Sequence, residues 1–237
     1  MRTDWRDLPN VLIAHTAATI TTHELYLLAK SGDTSAALAL VDEYITDNFL
    51  QELFNVLHSS KDVFVLPVHA EEYLGRNKIP MAFAAIIQQN LGLQIDLDIV
   101  QASKAYRTQS DGVGRLLKRV IFNGKVVANR QYLIVDDVIT QGGTLADLRG
   151  FIELNGGKVV AVSTLNGKPN SAKLPITKAT LGQLRKQAGQ DLEHWWQKEF
   201  HYDFSKFTES EARYLAKQIH RHGLDTVRDT LIKTRSQ

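Results

Sequence analysis

The sequence contains no cysteine, and this absence excludes three kinds of chemistry. Disulfide bonds, thiolate nucleophiles and cysteine-ligated metal sites all need a thiol. The chain also lacks a strong excess of charge, because 28 Lys and Arg residues stand against 26 Asp and Glu residues. Proteins that bind nucleic acids usually carry a basic excess, so no nucleic-acid partner is expected unless a basic patch is local.

Long apolar runs are also missing. No stretch approaches the ~20 consecutive apolar residues of a membrane span, so no membrane partner is expected. The apolar run at residues 11–14 is interrupted by His15 and shows no signal-peptide cleavage pattern. Together with the lack of thiols, these features favour a cytoplasmic location. Neither Gly-x-x-x-x-Gly-Lys-Ser/Thr nor Gly-x-Gly-x-x-Gly occurs, which disfavours the binding of nucleoside triphosphates and dinucleotides.

The residues that are present give the composition of an ordinary globular chain. The 237 residues are 43% hydrophobic and 23% charged, which suffices for one α/β domain with an added subdomain. Three short helices are predicted in the first third, each with apolar residues at helical spacing behind a capping side chain. They cover residues 24–29 after Thr22, 35–45 after Asp33 and 49–58 after Asp47.

A buried parallel sheet is predicted next. The nearly continuous apolar run 62–68 is typical of a strand covered on both faces. A helix at 81–89 follows, with Pro80 in its first turn and Gly92 at its end, and then a strand at 97–101. Strand, helix and strand in this order form a βαβ unit, which gives two parallel strands.

A second βαβ unit is predicted later in the chain, after a polar and basic stretch at 102–119 that suggests a long mobile loop. Asn123-Gly124 favours a tight hairpin between residues 120–122 and 125–127. The unit itself comprises a strand at 131–135, a helix at 144–155 and a strand at 158–165.

The end of the chain is predicted to be a helical appendage. From residue 177 the pattern is helical, and Thr208-x-x-Glu211 forms a capping box ahead of a helix at 212–220. The three expected segments are an N-terminal helical segment at 1–61, a sheet-containing core at 62–170 and the appendage at 171–237.

Residues 132–145 carry the candidate chemistry. An apolar strand is followed by Asp136 and Asp137 and then by a turn rich in hydroxyl groups and glycine, which opens a helix. Ligands of open parallel sheets bind beyond the carboxyl ends of the strands, so both acids would project into that crevice. Adjacent carboxylates can accept hydrogen bonds from vicinal sugar hydroxyl groups.

The turn has the features of a phosphate site. Gly142 and Gly143 let the backbone approach an anion, and the first turn of the next helix offers free N–H groups and the positive end of its dipole. Thr140 and Thr144 add hydroxyl donors. Acids for a diol beside a cradle for a monophosphate describe a site for ribose 5-phosphate. The alternative is structural, in which two acids cap a turn and two glycines bend it.

This segment resembles the fingerprint of the type I phosphoribosyltransferases, which is an apolar strand, two acidic residues and a phosphate loop rich in Thr and Gly. The resemblance implies the parallel sheet of that family from about residue 62 to 165. It also implies that Asp136 and Asp137 hold the ribose hydroxyl groups, directly or through Mg²⁺. The 5-phosphate would then be bound by a run of the chain that includes Val138, Ile139, Thr140, Gln141, Gly142, Gly143 and Thr144.

The resemblance implies two further parts of the site. A loop after the first sheet strand would meet the pyrophosphate through His69, Ala70, Arg76 and Lys78. Glu71 and Glu72 in that loop depart from the pattern unless they help to hold magnesium, and they are equally well explained as solvated acids. A mobile loop at 104–119 would close over the site, with Arg107 and Arg115 as the first candidates to bind pyrophosphate because guanidinium groups suit phosphate oxygens.

The resulting functional hypothesis is an enzyme that moves ribose 5-phosphate from 5-phosphoribosyl-1-pyrophosphate to a base, with Asp137 or a metal-bound partner receiving a proton. The base is not identified, and either the N-terminal helices or residues 177–237 could cover it. A dimer is expected from the resemblance alone. Two alternatives stay open, a non-catalytic regulator that senses phosphoribosyl ligands and a pyrophosphate-activating synthetase, although the latter normally needs two sheet domains.

Overall fold

A computed structural model describes residues 1–68, 71–72, 75–102 and 112–235. The strands among these residues are β1 (Leu12–His15), β2 (Val63–Pro67), β3 (Glu71–Glu72), β4 (Gly75–Arg76), β5 (Gln94–Ile95), β6 (Val100–Gln101), β7 (Phe122–Asn123), β8 (Gln131–Ile139) and β9 (Lys158–Gly167). The helices among them are α1 (Glu24–Ser31), α2 (Thr34–Tyr44), α3 (Asp47–Leu57), α4 (Ile79–Leu91), α5 (Gly112–Leu117), α6 (Gly143–Leu154), α7 (Lys178–Phe200), α8 (Glu209–His222) and α9 (Leu224–Arg235). Short 3₁₀ turns lie at Ala18–Thr22, Pro169–Ser171 and Phe204–Lys206.

A five-stranded sheet with the order β1-β9-β8-β2-β5 forms the centre of the fold. All four pairings within it are parallel. The α/β prediction, a parallel sheet flanked by helices with additional N-terminal and C-terminal helices, is therefore confirmed. Within the described ranges, every helix falls short of the length and apolarity needed to cross a bilayer.

Each face of the central strand β8 packs on a different helical layer. Because side chains alternate along a strand, Leu133 and Val135 join the core shared with α1 to α4, whereas Tyr132 and Ile134 join the core shared with α6. A third apolar cluster, centred on the fully buried Trp196, holds the C-terminal helices together. The sheet is thus covered on both faces, as its apolar strands predict.

Several local predictions are confirmed. Asp33 caps α2 by accepting a hydrogen bond from the N–H of Ala36, and Gly92 ends α4 in the left-handed conformation at φ 68°. The capping box of Thr208 and Glu211 is present at the start of α8. Two other caps are corrected, because His23 rather than Thr22 caps α1, and Thr46 rather than Asp47 caps α3.

The predicted hairpin at Asn123-Gly124 is wrong. Residues 122–123 pair antiparallel with Val100–Gln101, and residues 125–127 form no strand. A Cβ at Gly124 would lie 1.9 Å from the carbonyl oxygen of Asp98, so this glycine permits a close approach of two segments. The predicted strand at 97–101 is only partly correct. The strand that joins the central sheet is Gln94–Ile95, and within 97–101 only Val100–Gln101 is a strand.

Two strands differ from the sequence prediction in ways that matter for the site. β8 continues beyond Val135 through both acids to Ile139, because β9 supplies parallel partners as far as Gly167. Residues 12–15, in a segment predicted to be helical, add β1 to the edge of the sheet beside β9.

A buried ionic network fastens the C-terminal helices to the helix that follows the candidate phosphate turn. The guanidinium group of Arg2 donates to Asp147 of α6 at 3.0 Å and to Glu211 of α8 at 2.5 and 2.7 Å. Arg119 also pairs with Asp147. Although burial opposes ionisation of Glu211, the charge of Arg2 and its hydrogen bonds hold the pKa of this carboxyl below its ordinary value. The network needs Glu211 as an anion.

We expect Glu211→Gln to lower the free energy of unfolding by about 3 kcal/mol at pH 7, since it removes one partner of a buried ion pair. The stabilisation exists above the ordinary pKa of glutamate and is lost as pH falls through the lowered folded value. The difference in the free energy of unfolding between Glu211→Gln and the parent protein should therefore become smaller in acid. Urea denaturation at pH 7 and pH 4 measures it, and Glu52→Gln on the exposed side of α3 is the matched control. Equal effects of the two variants would contradict the network's importance.

Candidate functional site

The candidate site lies at the carboxyl end of β8, where the predicted motif lines a cavity of about 290 Å³. Ligands of open parallel sheets bind at this edge. The lining comprises Asp136 to Leu145 together with Tyr26, Lys30, Val68, Asn77, Gln101, Arg115 and Val120. The structure therefore brings the acids and the glycine turn into one cavity and adds side chains from α1, from the start of α4 and from α5.

Asp137 is buried and held as an anion by two neighbours from other parts of the chain. Its Oδ2 accepts a hydrogen bond from Asn77 Nδ2 at 2.9 Å and lies 3.2 Å from Lys30 Nζ. Its Oδ1 accepts from the N–H of Val138 at 2.7 Å. Burial alone would raise the pKa of Asp137, but the charge of Lys30 and the hydrogen bond from Asn77 outweigh it and lower the pKa.

Asp136 has the opposite electrostatic character. Burial, and then the repulsion of the Asp137 carboxylate, raise the pKa of Asp136 well above its ordinary value. Its Oδ1 accepts a hydrogen bond from the N–H of Asp137 at 2.9 Å. The two acids therefore differ in what they can do, because Asp137 is a fixed anion and Asp136 can take up a proton more easily.

The turn after β8 leads into α6 through a glycine. Gly142 adopts the left-handed conformation at φ 75° and is the N-terminal cap of α6, so no side chain caps this helix. The first-turn N–H groups of a helix have no partner within the helix. A helix that starts with glycine and lines a cavity can therefore offer these donors, and its dipole, to an anion.

The C-terminal appendage holds this turn in place. Thr208 Oγ1, which accepts from the N–H of Glu211, donates to the carbonyl oxygen of Gln141 at 2.5 Å. The side chain of Leu174 packs against Gly142, where a Cβ would lie 2.5 Å from Leu174 Cδ2. Arg2 reaches the carbonyl oxygen of Gly143 at 3.5 Å. The position of the turn thus depends on residues distant in sequence.

The remaining predicted site residues are distributed unevenly. Arg115 of α5 lines the cavity. Arg76 is exposed and Lys78 is half-buried at the start of α4, and neither is among the described residues that line the cavity. His69, Ala70 and Arg107 lie outside the described residues. The pyrophosphate roles assigned to these positions stay predictions.

Sequence analysis missed Lys30, Asn77, Tyr26 and Gln101, all of which line the cavity. Asn77 is 60 residues from Asp137, and Lys30 lies on a helix that was assigned only a covering role. No local spacing indicates these contacts.

Comparison with known proteins gives relatives but does not place the chain in a named family, and no family model matches it. Protein TraN of Escherichia coli is 34% identical over 236 residues, covering 100% of this chain and 52% of TraN. An uncharacterized protein of Haemophilus influenzae is 40% identical over 153 residues, covering 64% of this chain and 34% of that protein. The chain thus spans about half the length of TraN and about a third of the Haemophilus protein.

Phosphoribosyltransferases also appear among the similar proteins. A hypoxanthine-guanine phosphoribosyltransferase of Streptococcus mutans is 25% identical over 139 residues, covering 53% of this chain and 76% of that enzyme. A solved adenine phosphoribosyltransferase is 15% identical with a TM-score of 0.39, covering 58% of this chain and 73% of that one. A hypoxanthine-guanine phosphoribosyltransferase of Bacillus anthracis is 19% identical with a TM-score of 0.35, covering 54% and 71%. At these scores the structural likeness carries no functional argument. The resemblance of residues 132–145 agrees with the sequence match to the Streptococcus enzyme.

The two acids should respond oppositely to neutralisation. Asp136→Asn should increase the free energy of unfolding at pH 8, because the raised pKa means that ionisation of Asp136 costs stability as pH rises. Asp137→Asn should decrease it by about 3 kcal/mol, because it removes the carboxylate paired with Lys30. Urea denaturation between pH 4 and pH 8 measures both. The gain from Asp136→Asn should vanish toward pH 4, and Asp229→Asn on an exposed part of α9 should change little. If both site variants changed the free energy of unfolding in the same direction, the opposite electrostatic characters of Asp136 and Asp137 would be refuted.

Gly142→Ala should destabilise the protein by about 1–2 kcal/mol. The left-handed backbone disfavours any Cβ, and here the added atom would collide with Leu174. The control is Gly182→Ala in α7, where a Cβ meets open space and the alanine should stabilise the helix by about 1 kcal/mol. Thermal denaturation of both variants distinguishes a required glycine from a general tolerance of alanine.

Proposed function

We propose that this chain binds 5-phosphoribosyl-1-pyrophosphate in the cavity at the end of β8 and transfers ribose 5-phosphate to a ring nitrogen of a base. The observation that carries the proposal is the juxtaposition of Asp136 and Asp137 with the glycine start of α6 in one cavity of about 290 Å³. Diol acceptors and a phosphate cradle at one sheet edge match the two ends of a phosphorylated pentose. The cavity is of the size that holds a small ligand.

The acids bind the ribose hydroxyl groups in this proposal. The bonds from Lys30 and Asn77 keep Asp137 charged and fix its orientation before ligand arrives. Asp136 lines the cavity, and one of its oxygens is engaged by the N–H of Asp137. A preorganised acceptor avoids the cost of ordering side chains on binding.

The 5-phosphate occupies the turn. It receives hydrogen bonds from first-turn N–H groups of α6 and from the hydroxyl groups of Thr140 and Thr144. Gly142 allows the backbone to approach the anion closely. The hydrogen bond from Thr208 keeps the turn in position and so makes the cradle rigid.

Cations near the cavity offset the charge of the pyrophosphate. Lys30 and Arg115 both line it. Mg²⁺ is usually held by one or two carboxylates and by phosphate oxygens of the substrate. Asp136 is the carboxylate that fits such a role, since both oxygens of Asp137 are already bonded. When bound, Mg²⁺ would neutralise charge on the leaving pyrophosphate.

Transfer then follows from positioning and electrostatics. The bond from C1 to the pyrophosphate oxygen breaks, positive charge develops on the sugar, and a ring nitrogen of the base bonds to C1. The proton of that nitrogen goes to water.

Calorimetry with 5-phosphoribosyl-1-pyrophosphate and Mg²⁺ tests binding, and pyrophosphate release with a panel of purines, pyrimidines and related acids tests transfer. Asp136→Asn should weaken binding about 10- to 100-fold while preserving the fold, since it weakens hydrogen bonds to a charged acceptor. Asp225→Asn, on exposed α9, is the control. Absence of binding by the parent protein refutes the proposal. Binding without release under any base favours the ligand-sensing regulator instead.

A further inference from the structure

The helix that brings Lys30 to the acid pair begins at a histidine. The N-terminal cap of the eight-residue helix α1 is His23, whose Nδ1 accepts a hydrogen bond from the backbone N–H of Leu25 at 3.1 Å. The usual caps are Ser, Thr, Asp and Asn. Histidine differs from them because its charge ordinarily changes between pH 5 and pH 8. The start of α1 is therefore held by a group that loses its acceptor in mild acid.

The cap requires the neutral imidazole in one tautomer. A ring nitrogen of histidine accepts a hydrogen bond only when it carries no proton, so the proton of the neutral ring of His23 lies on Nε2. Nε2 is 3.2 Å from Oε2 of Glu43 on α2, and this carboxylate accepts the hydrogen bond from Nε2. Glu43 thus selects the tautomer that the cap needs, because the bond made by one ring nitrogen fixes the state of the other.

Other titratable and charged groups lie around this ring. The ring of Tyr44 on α2 meets that of His23 edge-on at a centroid distance of 6.0 Å, and His15 of β1 lies 4.7 Å from the same tyrosine. Glu24 is the first residue of α1, and Arg76 belongs to β4, which contacts the same helix. The side chain of His23 is 18% exposed, so protons from solvent reach it.

Protonation of His23 removes the cap for two reasons. A proton on Nδ1 faces the N–H of Leu25, so two donors meet where a donor and an acceptor stood. The imidazolium also places positive charge at the positive end of the helix dipole. A helix of only two turns depends on such end contacts, because short helices are marginally stable by themselves. Proton uptake by His23 therefore loosens the first turn of α1.

The first turn of α1 carries part of the ribose site. Tyr26 lines the cavity, and its N–H donates to the carbonyl oxygen of His23 at 3.0 Å. Lys30 Nζ lies 5.4 Å from the centre of the Tyr26 ring and 3.2 Å from Asp137 Oδ2. Three successive contacts thus connect the cap to the acid pair, from His23 to Tyr26, from Tyr26 to Lys30, and from Lys30 to Asp137.

We infer that His23 is a positioning residue for the ribose site, and that its neutral imidazole is needed for α1 to hold Lys30 against Asp137. The inference rests on the proposed function for its ligand and adds regulation by pH to it. Phosphoribosyl ligands bind fully when His23 is neutral. They bind more weakly when His23 is protonated, because the charge and the orientation of the ribose acceptor are then less well fixed.

The pH profile of ligand binding tests the inference. Calorimetry with 5-phosphoribosyl-1-pyrophosphate and Mg²⁺ at pH 8 and pH 5.5 compares the parent protein with His23→Asn, which keeps a capping acceptor and does not titrate. The ratio of the two affinities cancels the titration of the ligand and of Asp136, since both are common to the two proteins. From pH 8 to pH 5.5 the parent should lose about 5-fold more affinity than His23→Asn, the size expected for loss of one helix cap.

Two further variants locate the effect. His23→Ala lacks the acceptor at every pH, so its affinity at pH 8 should be about 5-fold below that of the parent, and His23→Asn should restore most of it. His220→Asn, at an exposed position of α8, is the control and should keep the profile of the parent. If His23→Asn shows the same pH dependence as the parent, or if it binds no better than His23→Ala at pH 8, the inference is wrong.

A measurement without ligand separates this inference from the proposed function. Nitrogen NMR of the imidazole should show the Nε2–H tautomer of His23 at pH 8. Hydrogen exchange of the Leu25 amide, corrected for its intrinsic pH dependence, should accelerate as the imidazole takes up a proton in the parent but not in His23→Asn. If these signals behave as expected and the protein does not bind 5-phosphoribosyl-1-pyrophosphate, the proposed function is wrong and the role of the cap stands. A proton on Nδ1 at pH 8, or exchange that does not follow the titration, overturns the inference even when the ligand binds.

Discussion

The carboxylate of Asp137 is the point on which the site depends. It is buried at the end of the central strand, where an unpaired charge would be strongly unfavourable. Lys30 from α1 and Asn77 from the start of α4 compensate it, at 3.2 and 2.9 Å. A backbone hydrogen bond of 3.0 Å from Lys78 to Ala29 joins the same two segments. Because these contacts come from separate elements, the N-terminal helices must be docked before the acid pair has its proper electrostatic state. The N-terminal segment is thus part of the site.

The difference between the two acids follows from strand geometry. β8 remains extended through Asp136 and Asp137, and neighbouring side chains on a strand point to opposite faces. Asp137 follows Leu133 and Val135 toward α1 and α4, where a cation is available. For Asp136, burial and the repulsion of its neighbour outweigh the attraction of Lys30 and raise its pKa. Two acids adjacent in sequence therefore divide into a fixed anion and a titratable group, a division that enzymes use to separate charge stabilisation from proton transfer.

Sequence reasoning succeeded where the cause of a structure is local. Asp33, Gly92 and the capping box of Thr208 act within one turn of helix, and the motif at 136–144 is contiguous. It failed where distant segments decide. The turn preference of Asn123-Gly124 is overridden because Phe122 pairs with Gln101, and β8 is extended by partners on β9. Lys30 and Asn77 were missed for the same reason. Their roles arise from packing between elements, which periodicity along the chain does not encode.

The C-terminal appendage is joined to the turn after β8 through one helix. The cap residue of α8, Thr208, donates to the carbonyl oxygen of Gln141 in the turn. Arg2 adds a second attachment between the same helix and α6. The turn after β8 is therefore held by buried contacts from distant segments, so its position is set by packing between elements rather than by the turn itself.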